Sequence, residues 1–298
     1  MIQVMLRGGL GNQMFEYALG LALAKKHTTG LLVDTTYLND RFPRKNFTFR
    51  HYELDIFKVD PKITALSRFS KKMPIPGAWL GLDFGLIAVR DRLGMRALVR
   101  EKDGLRADLS VLDAGDDVCL WGFWQSEKYF EDAKDEVRQA FRFRAELSSE
   151  AAALAEKIRA TQSVSLSVRR GDYLRAGNAK IYGDTDTAYY DAAVKYIASR
   201  VPSPHFFIFS DDIAWCREHI KPLFPTTYVP DELRNPEWRY VLELSSLCKH
   251  QIIANSTFWW WAAWLNQNPD KIVIAPKQWR VGVPAGNDDA TPPGWVRI

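Results

Sequence analysis

The sequence predicts an α/β protein built as two halves, each a parallel β-sheet flanked by helices. Three observations carry the prediction. The chain opens with a strand, a glycine loop, a helix and a second strand within residues 2–34. From residue 163 onward, short apolar strands alternate regularly with helical stretches. That alternation implies right-handed crossovers and a parallel sheet. Residues 40–110 lack this regularity and carry many arginines and the breaker Pro74-Ile75-Pro76-Gly77. The two halves are expected over 1–159 and 160–298.

The elements follow in order. Residues 2–7 are a buried strand, and the turn Gly8-Gly9-Leu10-Gly11-Asn12-Gln13 leads into a helix from Met14 to about Lys26. Leu31-Leu32-Val33 forms a second strand ending at Asp34. Residues 84–99 mix apolar and basic side chains, and two readings fit them. One is a basic amphipathic segment on a membrane surface; the other is a core-packed helix with solvated arginines. Residues 118–124 are expected as a strand and 127–140 as a helix with interleaved charges. In the second half, strands are expected at 163–170, 205–210, 228–229, 251–254 and 271–276. The intervening helices fall at about 187–199, 213–222, 236–249 and 257–267.

Composition narrows the function. The chain has 298 residues, 47% hydrophobic, enough for a sizeable core. The formal net charge of +4 comes with no Lys/Arg-rich tail, which argues against a nucleic-acid partner. Such a bias suits anionic small molecules or an anionic membrane surface. Cys119, Cys216 and Cys248 are widely spaced, with neither a zinc spacing nor a disulfide framework. The N-terminus lacks a signal-peptide pattern, and no apolar run approaches the roughly 20 residues of a membrane span. A cytoplasmic protein is therefore expected.

In an open parallel sheet, ligands bind outside the carboxyl ends of the strands. Three polar groups are expected there in the second half: Arg169-Arg170-Gly171-Asp172, Ser210-Asp211-Asp212 and Asn255-Ser256-Thr257. Arginine keeps its charge and offers a fork of donors matched to phosphate, so this edge suits a diphosphate held without a metal. Neighbouring strand residues face opposite ways, so one arginine binds and the other braces. The N–H groups opening helix 257–267 suit a phosphate, with the Ser256 and Thr257 hydroxyls beside them. Asp211 or Asp212 can accept from ribose hydroxyls or a base amine. The competing reading of these Asp, Ser and Thr residues is helix N-capping.

Other sites fit less well. The opening glycine loop mimics a nicotinamide-cofactor fingerprint, but Met14 stands where a small residue belongs and would hinder close helix–strand packing. Asp184-Thr185-Asp186 has the form of a divalent-metal motif, yet it precedes a helix and reads as a cap. Histidines 27, 51, 205, 219 and 250 show no metal-ligand pairing, so no metal is expected. Neither a nucleophile elbow nor a P-loop is present.

Together, GGLGNQMFEYALG at 8–20, SVRRGDYL at 167–174, FSDD at 209–212 and LCKHQIIANSTFWWWAAWLN at 247–266 resemble the bacterial α-1,2-fucosyltransferases of glycosyltransferase family eleven. The motifs occur in the family's order and cover the chain from end to end. The resemblance implies a GT-B-like fold of two Rossmann-type domains facing a cleft, the first on the acceptor side and the second binding GDP-fucose. It implies inverting transfer of fucose to a terminal galactose, of an oligosaccharide or of a lipid-linked glycan, without a metal. By position, Arg169 holds the diphosphate, Arg170 binds or orients beside it, Asp211 or Asp212 contacts guanosine, and Ser256 and Thr257 contact phosphate. Asn12 lies near the reacting sugar, and Asp172 is one candidate base. Alternatives are another linkage or acceptor, a non-catalytic nucleotide-sugar-binding protein, and a nicotinamide oxidoreductase. A lipid-linked acceptor would bring the basic stretch 84–106 against the inner membrane surface.

Two residues depart from the family pattern. Ser167 stands where the family usually has histidine, so any donor contact by that histidine is lost or passes to water. Trp259 replaces a usual serine, either enlarging an aromatic wall or packing in the core.

Overall fold

A computed structural model of the chain describes residues 1–39, 48–64, 96–171, 186–233, 238–280, 282–284 and 286–298. Two separate parallel sheets organise it. The first belongs to the unit Met1–Arg144 and the second to the unit Ala145–Ile298.

The first sheet has five strands: β1 (Ile2–Met5), β2 (Leu31–Asp34), β3 (Lys62–Thr64), β4 (Ala97–Arg100) and β5 (Val118–Trp121). Their order is β3-β2-β1-β5-β4, and every pairing is parallel. β1 is central because its four residues are apolar or paired and buried on both faces. Its one polar side chain, Gln3, donates to Asp34 Oδ2 at 2.8 Å. Helix α1 (Leu10–Lys26) crosses from β1 to β2 and ends in Lys25 and Lys26, which suit the negative end of the helix dipole. It begins at Leu10, earlier than expected. It lies close to the sheet at Gly20, where a Cβ would come within 2.7 Å of Leu31 Cδ1. Met14, expected to hinder this packing, is fully buried instead. A short helix, α2 (Thr36–Asn39), follows β2.

The expected single helix at 127–140 is broken. A 3-10 segment, Glu127–Ala133, carries a non-helical Phe130 (φ −136°, ψ 27°), and α3 (Lys134–Ala140) continues beyond it. The break lets Phe130 turn into the core against Phe15, with ring centroids 6.4 Å apart. β3 and β4 were not expected. Ala97–Arg100 is a strand, which corrects the helical reading at the end of 84–99. Residues 84–95 of that stretch lie outside the described residues.

The second unit begins with α4 (Ser149–Ala160), capped by Ser148, whose Oγ accepts from Ala151 N at 3.3 Å. Then come β6 (Gln162–Val168), α5 (Thr187–Ala198), β7 (Pro204–Ser210), α6 (Ile213–His219) and β8 (Thr226–Tyr228). After these follow α7 (Arg239–Leu247), β9 (His250–Ile252), α8 (Thr257–Leu265), β10 (Val273–Ala275) and β11 (Val296–Arg297). The unit starts at Ala145, not at 160, because α4 packs on α7 and β6.

The strand order is β11-β10-β9-β6-β7-β8, all parallel. The chain starts in the middle, walks outward to β8, and returns to the other side of β6 at β9. This is the Rossmann order, and its topological switch point lies between β6 and β9. The strands are buried on both faces, and the core gathers Val164, Leu166, Val168, Phe206, Ile208, Ile252 and Ile274 against Tyr190, Ala193 and Ile197 of α5. α8 is apolar all round and correspondingly buried, including Trp259, Trp260, Trp261 and Trp264. Trp260 Nε1 donates to the Ala290 carbonyl at 2.6 Å. With two Rossmann-type units, the fold is α/β of the GT-B-like class.

Candidate active site

The three polar groups read from the sequence end three adjacent strands, β7, β6 and β9, at one edge of the second sheet. At the centre is Asp211, only 8% exposed at its side chain. Its carboxylate accepts from Arg169 Nη1 at 3.0 Å, from Arg170 N at 2.9 Å and from Gly171 N at 3.0 Å. One carboxylate therefore fixes both the guanidinium and the backbone turn that follows β6. Gly171 is required by this closeness: a Cβ there would stand 2.7 Å from Asp211 Oδ2. Asp172 lies outside the described residues.

The Arg170 side chain turns to a different pair of groups. The Arg170 guanidinium carbon lies 3.8 Å from the Trp215 ring centroid, and its Nε is 3.4 Å from Asp212 Oδ2. Asp212 caps α6 by accepting from Trp215 N at 3.1 Å, and Ser210 Oγ accepts from Asp212 N at 2.9 Å. The capping reading of Asp212 therefore holds. Arg169 also lies 5.9 Å from the Trp238 ring centroid. Trp215 and Trp238 were missed by sequence reasoning, although an aromatic three residues into the helix after Asp212 was a visible signal for an arginine shelf.

Across the switch point, β6 and β9 stop pairing after Leu166 and Ile252. There Ser167 takes over. Its fully buried hydroxyl donates to the Ile252 carbonyl at 3.2 Å and accepts from Ala254 N at 3.3 Å. Ser167 therefore joins the two strands, its hydroxyl engaged by the backbone on both of its bonds. Two tyrosines of α5 hold the same edge from below. Tyr190 Oη donates to the Ser167 carbonyl at 3.2 Å, and Tyr189 Oη to the Ile253 carbonyl at 2.6 Å. Burial pushes the Tyr189 hydroxyl well above its ordinary range, so it remains a donor.

Asn255 and Ser256 are buried at the carboxyl end of β9, and Thr257 opens α8. Ser256 occupies the N-cap position with extended backbone, yet its hydroxyl makes no capping bond. The capping reading of Ser256 therefore does not hold at the side chain. Trp259 is 2% exposed and packs on Phe209 and Phe258, which makes it core and not an aromatic wall. Cys216 is buried behind the cluster, and burial pushes its thiol up to about 11, so it is not a thiolate nucleophile near neutral pH.

In the first unit, the glycine loop works through Asn12. Gly8 has φ +70°, and a Cβ there would lie 2.4 Å from Asn12 Nδ2. Gln125 Nε2 donates to Asn12 Oδ1 at 3.0 Å, so the Asn12 carbonyl oxygen is engaged and its amide nitrogen directed away. The loop is braced by Gln13, whose amide donates to the Gly8 and His51 carbonyls at 3.0 and 2.7 Å. Glu53 Oε2 accepts from Leu10 N at 2.6 Å and so occupies the start of α1. A carboxylate there opposes a cofactor pyrophosphate, against the nicotinamide reading.

Asp186 caps α5, accepting from Tyr189 N at 2.9 Å, while Asp184 lies outside the described residues. Among the described residues, no cluster of three His, Cys, Asp or Glu side chains is arranged to hold a metal. None of their helices is long and apolar enough to cross a membrane.

Similarities to known proteins agree with this construction. Residues 104–298 match the model of glycosyl transferase family 11. An α-1,2-colitosyltransferase of Escherichia coli is 32% identical over 98% of this chain and 97% of its own length. The bovine galactoside 2-α-L-fucosyltransferase SEC1 is 31% identical over 51% of this chain and 43% of its own. Among solved structures, the NodZ α-1,6-fucosyltransferase co-crystallised with GDP is similar in fold, with a TM-score of 0.50 and 15% identity over 88% of this chain and 90% of that one. From the Rossmann sheet with its arginine pair to the match over residues 104–298, more than half of its length, the chain belongs to glycosyltransferase family 11.

Proposed function

We propose that this glycosyltransferase moves L-fucose from GDP-β-L-fucose to the 2-hydroxyl of a terminal galactose, with inversion. The observation that carries the reading is Arg169, held by a nearly buried carboxylate at the switch point of a Rossmann sheet. The acceptor hydroxyl oxygen forms a bond to the sugar's anomeric carbon. The bond from that carbon to the β-phosphate oxygen breaks, and its electron pair leaves with GDP. Negative charge grows on the phosphate in a loose transition state. A preorganised guanidinium stabilises that charge more than the ground state, with the first turn of α8 and the Ser256 and Thr257 hydroxyls assisting. A divalent ion is not needed in this reading.

Asp211 positions Arg169, and Arg170, held by Trp215 and Asp212, binds or orients beside it. Asp212, 37% exposed at its side chain, is the better of the two aspartates to meet guanosine. Asn12 meets the reacting sugar, and Asp172 is the candidate base for the acceptor proton. A galactose-terminated lipid-linked glycan on the cytoplasmic membrane face is the natural acceptor in this reading.

The 32% identity to a colitosyltransferase favours a second reading of the donor. Colitose is fucose without its 3-hydroxyl, so both sugar nucleotides pose the same charge problem. The test is transfer from GDP-fucose and GDP-colitose to lactose in excess EDTA, with Arg169→Ala alongside. Metal-independent fucosyl transfer to the galactose 2-hydroxyl, cut about 100- to 1000-fold in the variant, is expected. A marked preference for GDP-colitose moves the assignment to the second donor. Bound GDP-fucose with neither transfer nor GDP release refutes an enzyme and leaves a binding protein.

A further inference from the structure

The first sheet has its own topological switch point, between β1 and β5. Arg7 stands there, two residues past the end of β1. Its guanidinium carbon lies 4.6 Å from the Trp121 ring centroid and 4.2 Å from that of Phe123. Both aromatic residues follow from β5: Trp121 ends the strand and Phe123 lies just beyond it. The turn between them is fixed by Glu101, whose carboxylate accepts from Phe123 N at 2.7 Å and Trp124 N at 3.0 Å. The Arg7 backbone N–H donates to Glu16 Oε2 at 2.8 Å, so a fully buried carboxyl lies beneath the arginine.

This guanidinium is fixed in place yet poorly satisfied. Its Nε and Glu16 Oε1 are 3.9 Å apart, and each is buried without a hydrogen-bond partner. Among the described residues, no hydrogen bond leaves the guanidinium, and 14% of the side chain is exposed. Guanidinium carries five donors, and leaving a buried one unpaired is unfavourable. A structural arginine would be hydrogen-bonded to carbonyls, as Arg144 is to Phe57 and Val59 in the same unit. Arg7 is held by ring faces and keeps 14% of its side chain exposed, at the place where a parallel sheet receives ligands. Burial also pushes the Glu16 carboxyl well above its ordinary range, which weakens its ability to neutralise the arginine.

We infer that Arg7 is the specificity residue of an anion subsite in the first unit, which receives an acidic oxygen group carried by the acceptor glycan. The planar fork fits a carboxylate or a phosphate oxygen pair. The two sources are a uronate-type carboxylate within the glycan and a glycosyl phosphate at its linkage to a carrier. The inference rests on the reading of the chain as a glycan-modifying transferase, but its test does not require transfer.

The experiment is calorimetric titration of the full chain, without donor, by three galactose-terminated probes. They are neutral lactose, lactobionate, which carries a carboxylate, and lactose 1-phosphate. The expected result is about tenfold tighter binding of at least one acid than of lactose, the effect of one charge-assisted hydrogen bond. Arg7→Met abolishes the preference and leaves lactose binding unchanged, and Arg7→Lys retains part of it. Preference for lactobionate identifies the glycan carboxylate, and preference for lactose 1-phosphate alone identifies the glycosyl phosphate. Equal affinity of the wild type for all three probes overturns the inference without needing any variant. An acid preference that survives in Arg7→Met overturns it as well. If the preference follows Arg7 but no donor supports transfer, the subsite stands and the fucosyltransferase reading falls.

Discussion

Replacing Asp211 by asparagine separates holding an arginine from merely possessing one. The carboxylate accepts from one guanidinium nitrogen and two backbone N–H groups, all within 3.0 Å. Asparagine keeps one acceptor oxygen and puts an NH2 where the second oxygen was. Either Arg170 N, or Arg169 Nη1 and Gly171 N together, then faces another donor, and Arg169 loses its counter-charge. The lost charge-assisted hydrogen bond costs about 1.5–3 kcal/mol, and leaving a neighbour unsatisfied costs about 1–3 kcal/mol more. The site is partly open, with Arg169 20% exposed, so water recovers some of this, and about 2–3 kcal/mol of stability is expected to be lost. The activity loss is larger in kind. A misplacement of about 1 Å costs on the order of 100-fold. Steady-state transfer from GDP-fucose should therefore show kcat down about 100-fold with KM for the donor changed much less, measured well below the variant's melting temperature. A kcat within threefold of wild type, in a variant that is destabilised as calculated, would show that Asp211 is structural and that Arg169 needs no positioning.

Three further outcomes test other parts of the construction. Gly171→Ala inserts a Cβ 2.7 Å from Asp211 Oδ2, so it should mimic Asp211→Asn in kcat; unchanged transfer would mean that the turn gives way freely. Trp259→Ser restores the family's usual residue but opens a cavity beneath Phe209, so melting should report a loss of about 3–5 kcal/mol, and unimpaired stability would return Trp259 to the ligand wall. The buried Glu16 carboxyl, facing Arg7 and Glu101, binds its proton more tightly in the folded chain than in the unfolded one. Its contribution to stability is present below about 4.5 and lost as pH rises toward the raised value, so Glu16→Gln should gain in melting temperature relative to wild type from acid to neutral pH; a constant difference would refute the burial argument.

The second sheet was largely legible because its strands are short, apolar and bounded by polar turns, and a doubly buried strand reads as a continuous run. Arg169, Asp211 and Ser256 could be found by asking which residues end those strands. What escaped has physical reasons. β4 and β3 are edge strands of three or four residues in a basic, irregular stretch, where local pattern is weak and pairing partners decide. The break at Phe130 is invisible in the charge pattern because tertiary packing on Phe15 causes it. The strand-joining role of Ser167 escaped because a strand's hydroxyl can turn sideways into its neighbour's ladder, which a pattern of alternating faces does not describe. Gln125, the partner of Asn12, lies over a hundred residues away in sequence, and nothing local marks it.

The two switch points treat their arginines in opposite ways, and the contrast bears on chemistry. Arg169 is paired with a carboxylate that stays on the protein, so part of its charge is compensated before any ligand arrives. That lowers its attraction for a resting diphosphate, but its orientation is already set by Asp211. As the leaving group gains charge, the attraction grows while no reorganisation is needed, which favours the transition state over the ground state. Arg7 has two aromatic rings beside it and a carboxyl that burial biases toward neutrality. Its field is less compensated, so it suits constant attraction to a group whose charge does not change during reaction. Uniform binding of that kind lowers KM and leaves kcat alone. Under the two proposed roles, charge compensation at one arginine and its weakness at the other divide the work between rate and selection of the acceptor.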